Sequence, residues 1–406
     1  MNFLKVTDID EIEELILKKI PSLKGKKETC KLEDSLGRIL CENVVASLNV
    51  PEFNRSTVDG YAIKSKESLG ASQGIPAFFT IKGEVLMGEN TSKKLESGEA
   101  IYVPTGAMIP ECADSMIMIE YCEILEDTLL VHKPVSNFEN IMLMGEDVKK
   151  GEVILKKGST ITPENIGALA SLGIYKLPVF KKFTFSIIST GDEIIGETEE
   201  YKMGKIRDVN SYTLSLAIQK FGIVTEKKIV KDNFETILEE VKKSTEKSDI
   251  VLISGGSSAG NYDYTGKVIS MLDGGEVFVH GISIKPGKPT IIGKSNDKLI
   301  FGLPGHPISS MVVFNIIVKK LVESLYFCED SDDYYHGILS HNLHSTPGRT
   351  TYQMISKTIE NNEIVITPIF GKSGMTTLMT KSNGYIILES HIEGLEKGSR
   401  VKVYRF

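Results

Sequence analysis

The stretch Ser248 to Asp263, S-D-I-V-L-I-S-G-G-S-S-A-G-N-Y-D, sets the reading of the whole chain. Ile250 to Ile253 is too short for a helix and stops at a turn, so it reads as a strand buried in a parallel sheet. The loop after it suits an anion. Gly255, Gly256 and Gly260 allow positive φ and close backbone approach, and Ser254, Ser257 and Ser258 add hydroxyl donors. A helix expected to start between Tyr262 and Thr265 would point its amide end into the same space, which makes phosphate the natural guest. The spacing is neither G-x-G-x-x-G nor G-x-x-x-x-G-K-[ST], so neither a dinucleotide fold nor a P-loop is indicated. The plain alternative, a simple turn, weakens only where other signals converge on it.

Working outward, Phe183 to Ile188 reads as a strand running into S-T-G-D-E-I. Leu214, Ile218 and Phe221 mark a helix ending at Gly222, and Val224 to Val230 a strand before Asp232. A helix with Phe234, Ile237, Leu238 and Val241 on one face then leads to the opening strand. Further strands fall at Val277 to Ile284, Thr290 to Ile292 and Leu299 to Phe301, and a long helix begins near Pro307. This alternation predicts a three-layer α/β domain over about 181–327, with ligands at the carboxyl ends of its strands. S-T-G-D-E, Asp232, the Ser254 to Asp263 loop, K-P-G-K-P and G-L-P-G-H-P all fall at such ends.

On the N-terminal side, Asp8 and Glu11 form a capping pattern ahead of an amphipathic helix running to Pro21. V-P-E-F-N-R-S-T-V-D-G-Y-A-I, Val50 to Ile63, reads as a specified loop, its bland alternative being a tight Asp-Gly turn. Short β-like runs from Ala77 to Val135 form a β-rich lobe, within which lies the turn-rich P-T-G-A-M-I-P-E-C-A-D. A helix capped at Gly173 closes a two-lobed N-terminal region over 1–180, with its β-rich insertion at about 50–140. The segment 328–406 reads as a small C-terminal barrel or sandwich.

Composition narrows the function. A 406-residue chain with 41% hydrophobic and 25% charged residues is globular and of several domains. A net charge of −7, a pI near 5.7 and no basic cluster with interleaved aromatics argue against nucleic-acid binding. Five cysteines, none in a C-x-x-C pair, indicate neither a disulfide framework nor a zinc site and suit a reducing cytoplasm. No secretory signal and no membrane-spanning run is expected.

The strand ends collect the carboxylates Asp192, Glu193, Asp232 and Asp263 with Lys285 and Lys288. Carboxylates alone repel phosphate, so an anion loop beside them implies a bridging cation, most simply Mg²⁺, with lysines balancing the rest. A helix cap or a solvated charge is the ordinary alternative for each acid, and Asp192 is left in that class. G-x-S-x-G is absent, so no serine-hydrolase elbow is present, and His280 and His306 read as structural.

As an ordered set, P-E-F-N-R-S-T-V-D-G-Y-A, P-T-G-A, G-E-D, S-T-G-D-E, I-R-D-V-N-S, S-G-G-S-S-A-G-N-Y-D, K-P-G-K-P and G-L-P-G-H-P resemble the MoeA family of molybdopterin molybdenumtransferases, which includes the C-terminal domain of gephyrin. The resemblance runs almost the full chain. It implies an elongated homodimer with a MogA-like third domain, the site lying between that domain of one subunit and the N-terminal region of the other. It further implies insertion of molybdate into adenylated molybdopterin with release of AMP and a need for Mg²⁺, and makes the molybdopterin adenylyltransferase a candidate partner. Carried over by motif position, Asp59, Glu193, Asp232 and Asp263 are the catalytic acids, Glu193 and Asp263 also holding the metal. Thr105, Asp147, Ser254, Gly255, Gly256, Ser257, Lys285, Lys288, Pro304 and Pro307 bind substrate. Asn54, His306 and Ser257 depart from the usual Asp, Asn and Val, and Met108 and Cys112 also differ from the family pattern. The two competing readings are molybdopterin adenylylation and a gephyrin-like scaffold. The oxyanion, molybdate or tungstate, stays open.

Overall fold

A computed structural model describes residues 6–255, 262–327 and 334–405, with the side chains of Tyr262 and Asp263 outside that description. Three six-stranded sheets organise it.

The central sheet has the order Gly222–Val230, Phe183–Thr190, Ile250–Gly255, Lys298–Leu303, Ile291–Ser295, Gly275–His280. Ile250, Val251, Leu252 and Ile253 are all at most 1% exposed, because alternate residues enter two different cores. Ile250 and Leu252 pack in a cluster with Leu214, Ile218 and Val312, while Val251 and Ile253 join Ile237, Val241 and Val268. The helices Asn210–Ile218 and Pro307–Val313 therefore serve the first core, and Phe234–Lys247 and Tyr262–Met271 the second. This is a three-layer α/β arrangement, as the alternation predicted.

The sheet is mixed rather than parallel throughout. Ile291–Ser295 runs antiparallel to both neighbours, forming a hairpin with Lys298–Leu303 through Asn296, whose φ is +50°. Two boundaries also move. Gly222 opens a strand rather than ending a helix, and the strand from Gly275 stops at His280. Ile284–Lys285 belongs instead to the C-terminal sheet, paired in parallel with Thr350 and Thr351.

In the N-terminal region, Asp8 caps the first turn by accepting from the Asp10 N–H at 3.2 Å, in place of a box closed by Glu11. Lys27–Lys31 pairs with Lys176–Phe180, which brings together the chain on either side of an inserted sheet. That sheet has the order Ser115–Met118, Gly60–Ile63, Glu99–Val103, Ala77–Glu84, Thr128–Val131, Cys122–Leu125. Gly60 to Ile63, read above as loop, is thus a strand flanked on both sides. All four residues are buried, so no apolar–polar alternation marks it. In the same stretch, Arg55–Ser56 pairs with Ile141–Met142.

The C-terminal sheet closes on itself. Thr350–Glu360 pairs with Glu363–Pro368, this with Tyr334–Leu339, then Arg400–Tyr404 and Gly384–Leu388, which returns to Thr350–Glu360. The ring is a small barrel around Ile355, Ile366, Ile386 and Val403. Among the described residues no helix is long and apolar enough to cross a membrane.

Candidate active site

The carboxyl edge of the central sheet brings Ser254, Gly255, Asp232, Pro304 and the loop of Lys288 together. A cavity there is lined by Thr190, Asp232, Gly255, Tyr264, Pro289 and Leu303, among others. Gly255 keeps its backbone out of the left-handed region. Its missing Cβ matters for space, since one would stand 2.5 Å from Thr190 Oγ1. Ser254 is buried, and its Oγ accepts from Asn210 Nδ2 at 2.6 Å. The backbone N–H of Asp232 donates to Asp192 Oδ1 at 3.3 Å, so Asp192, set aside as an ordinary charge, shapes this edge. Glu193 is half-buried. Its carboxylate folds back over Gly191, where a Cβ would stand 2.8 Å from Oε2.

Lys288 is half-buried and Lys285 exposed. Their loop is stiff. Ile282 N–H donates to the Lys288 carbonyl at 2.9 Å, and Thr290 Oγ1 donates to the Gly287 carbonyl at 2.8 Å. Gly287, at φ +118°, packs where a Cβ would meet Val313 at 2.6 Å and Ile284 at 2.8 Å. Pro304 is buried, while Pro307 opens a helix at the position where a missing N–H costs nothing. His306 is that helix's N-cap residue. Its Nδ1 lies 2.8 Å from Ser373 Oγ, a link from this edge to the C-terminal barrel that sequence spacing could not reveal. Gly256 and Ser257 lie outside the described residues, as does the side chain of Asp263, whose backbone sits in the first turn of Tyr262–Met271.

Asp59, Thr105 and Asp147 form a second group, on three loops laced together at the inserted sheet. The Thr105 N–H donates to Asp59 Oδ1 at 2.9 Å, and the Gly106 N–H to the Ser56 carbonyl at 2.8 Å. Asp147 N–H donates to the Val50 carbonyl at 3.1 Å, and Asn54 Oδ1 accepts from Met144 N–H at 2.8 Å. Asn54 therefore joins two of these loops without needing a charge. Asp59, Thr105 and Asp147 are all exposed. Within one chain the two groups belong to different sheets: Asp59 adjoins the strand Gly60–Ile63 of the inserted sheet, while Ser254 lies in the strand Ile250–Gly255 of the central one.

Among the described residues no three His, Cys, Asp or Glu side chains cluster as a closed metal site. An oxygen-ligated Mg²⁺ needs no such cage, since it is ordinarily held by one or two carboxylates, waters and substrate phosphates. Glu193 at the edge is a donor of that kind.

Three family models match in sequence along the chain. Residues 7–173 match the MoeA N-terminal region (domain I and II), 186–324 a "Probable molybdopterin binding domain", and 336–406 the MoeA C-terminal region (domain IV). The chain belongs to the MoeA family of molybdopterin molybdenumtransferases. A Methanocaldococcus jannaschii protein named as a molybdopterin biosynthesis protein is 34% identical over 404 residues, covering 97% of this chain and 96% of its own. A Staphylococcus aureus protein named molybdopterin molybdenumtransferase is 32% identical over 378 residues, 92% of this chain and 90% of that one. The crystal structure of a molybdopterin biosynthesis MoeA protein from Pyrococcus horikoshii superposes with a TM-score of 0.86 at 34% identity, covering 99% of both chains. MoeA membership places the protein in molybdenum cofactor biosynthesis.

Proposed function

We propose that the protein inserts molybdate into adenylated molybdopterin and releases AMP, in a Mg²⁺-dependent reaction at a site completed by a second copy of the chain. One observation carries this reading: at the carboxyl edge, hydroxyl and backbone groups of Ser254 and Gly255, the acid Asp232 and the lysine loop of Lys288 converge. Such an edge suits a phosphorylated ligand beside a second anion.

Molybdate is a dianion that must enter next to phosphates, so positive charge is needed to offset the repulsion. Lys285 and Lys288 supply it, Lys288 from a half-buried position where its charge is less screened. Replacing one oxo group by two thiolate sulfurs releases one water, which carries away the two thiol protons. Cleaving the phosphoanhydride to free AMP consumes one water. Asp59 and Asp232 are the proposed carriers of those protons. Glu193 and Asp263 would hold Mg²⁺, which when bound neutralises phosphate charge and polarises a phosphoryl oxygen. Thr105, Asp147, Gly256, Ser257, Pro304 and Pro307 line the substrate. With the Asp59 group and the Ser254 edge on different sheets of one chain, the reading takes the protein as a homodimer in which each site draws one group from each subunit. Adenylated molybdopterin would then arrive from an adenylyltransferase.

The test mixes the protein with adenylated molybdopterin, Mg²⁺ and molybdate, and follows AMP together with metal on the pterin. AMP release that requires molybdate is the expected result. Release driven by tungstate alone would reassign the oxyanion, and release with neither would remove the reading.

A further inference from the structure

The turn Asp208-Val209-Asn210, which precedes the body of the helix Asn210–Ile218, grips three neighbouring strands of the central sheet at their carboxyl ends. Asp208 Oδ1 accepts from Ser189 Oγ at 3.1 Å and from the Ser211 N–H at 3.1 Å, tying the turn to Phe183–Thr190. Asn210 Nδ2 donates to Ser254 Oγ, at the end of Ile250–Gly255, at 2.6 Å. It also donates to the Gly305 carbonyl, just past Lys298–Leu303, at 2.8 Å. Each strand leads directly into a site loop: S-T-G-D-E, S-G-G and G-L-P-G-H-P.

Asn210 is 8% exposed, and its Oδ1 is buried with no hydrogen-bond partner among the described residues. A carbonyl can only accept, so Gly305 fixes which end of the amide faces the loops and leaves the oxygen orphaned. An orphaned buried acceptor costs free energy that an apolar residue of similar shape would not incur. The two donor bonds hold the amide in place against that cost.

We propose that Asn210 is a positioning residue for the reaction. Its amide holds Ser254 and the Pro304 to Pro307 loop in fixed register, so that the anion-binding groups on the two strands meet the substrate together. The proposal rests on the site assigned above.

The test compares wild type, Asn210→Asp, Asn210→Leu, Ser254→Ala and the Asn210→Leu/Ser254→Ala double variant, all as full-length protein. Molybdate-dependent AMP release gives kcat and KM, and hydrogen exchange follows the backbone amides of Leu303, Gly305 and His306. A misplacement of about 1 Å can lower rate about a hundredfold, so kcat in both Asn210 variants should fall about 30- to 100-fold with KM changed less than about threefold. The double variant should lose less than the product of the two single losses, since the residues share the Asn210–Ser254 bond. Exchange at Gly305 and His306 should quicken about tenfold. Wild-type kcat in a folded Asn210 variant, or losses that multiply in the double variant, would overturn the proposal. Should both Asn210 variants fail to fold, Ser254→Ala decides: faster exchange at Gly305 supports the clamp, and unchanged exchange overturns it. Should wild type release no AMP, the reaction reading fails separately, and exchange in the Asn210 variants still judges the clamp.

Discussion

Asp59 and Thr105, 46 positions apart, are joined by a hydrogen bond of 2.9 Å from the Thr105 backbone to Asp59 Oδ1. The bond explains why a bare Asp-Gly pair could not be judged from its own neighbourhood: the partner lies on another loop. It also separates two roles. Asp59→Asn keeps an oxygen acceptor and loses the charge, whereas Asp59→Ala loses both. Metal insertion should drop about 10²- to 10³-fold in both, as expected for a lost charge at a reacting centre. Only Asp59→Ala should also lose about 1 kcal/mol of stability. AMP release and urea midpoints measure the two effects, and an active Asp59→Ala would remove this residue from the site.

Tyr326 secures the base of the central domain. Its side chain is 2% exposed and stacks on Phe180 and Phe183, with centroids 5.3 and 5.5 Å away. The hydroxyl accepts from the Phe183 N–H at 2.9 Å and lies 3.2 Å from the carbonyl oxygens of Lys181 and Phe221. Tyr326→Phe keeps the stacking but strands a buried N–H, so a loss of about 1 to 3 kcal/mol is expected in chemical denaturation. A change below a few tenths would show that the N–H finds another acceptor.

Acid should loosen the sheet at Asp249. Burial pushes this carboxyl up, but the Thr184 backbone N–H and hydroxyl, with Lys298 and Lys26, outweigh it and hold the pKa below its ordinary value. A depressed folded pKa contributes stability that is fully present above the ordinary carboxylate value and fades as pH falls through the folded one. Asp249→Asn should therefore be less stable than wild type at pH 7. The gap should narrow once pH falls below about 4, the ordinary range for an aspartate. Urea midpoints across that range give the answer, and a gap independent of pH would mean the charge contributes nothing.

Alkylation should sort the cysteines. Cys122 is pushed up to about 12 by burial and then by Glu120, and burial also raises Cys30 and Cys41. Cys112 is exposed. Only the thiolate reacts, so iodoacetamide at pH 8 should modify Cys112 first among these four, by about tenfold or more, as read by peptide mass mapping. Early loss of Cys122 would mean that its part of the inserted sheet opens readily.

Much of the architecture was legible because Ile250 to Ile253 is apolar on both faces and ends in Ser254 and Gly255, and strands and helices alternate around it. The expected helices at Phe234–Lys247 and Tyr262–Met271 are present for the same reason. Most of what the sequence leaves hidden is short or non-local. Ile284–Lys285 is two residues long and shows no period, so its strand partner across the chain could not be guessed. The antiparallel hairpin at Ile291–Ser295 does carry a local signal, the Asn296-Asp297 pair between two apolar runs. Asn210 stood inside a recognised motif, I-R-D-V-N-S, but its importance comes from Ser254 and Gly305, 44 and 95 positions away. Sequence reasoning names such residues without saying what they hold.

The strand Ile284–Lys285 leaves the central domain to pair with Thr350 and Thr351 of the barrel. Modular exchange between relatives is constrained by that loan. A chimera taking its C-terminal barrel from another family member would set a native Ile284–Lys285 against a foreign edge, and the mismatch would reach Lys288 three positions on. The transplantable unit is thus the barrel together with residues 281–290, and a recombination boundary drawn at the covalent junction near 330 would cut through a functional seam.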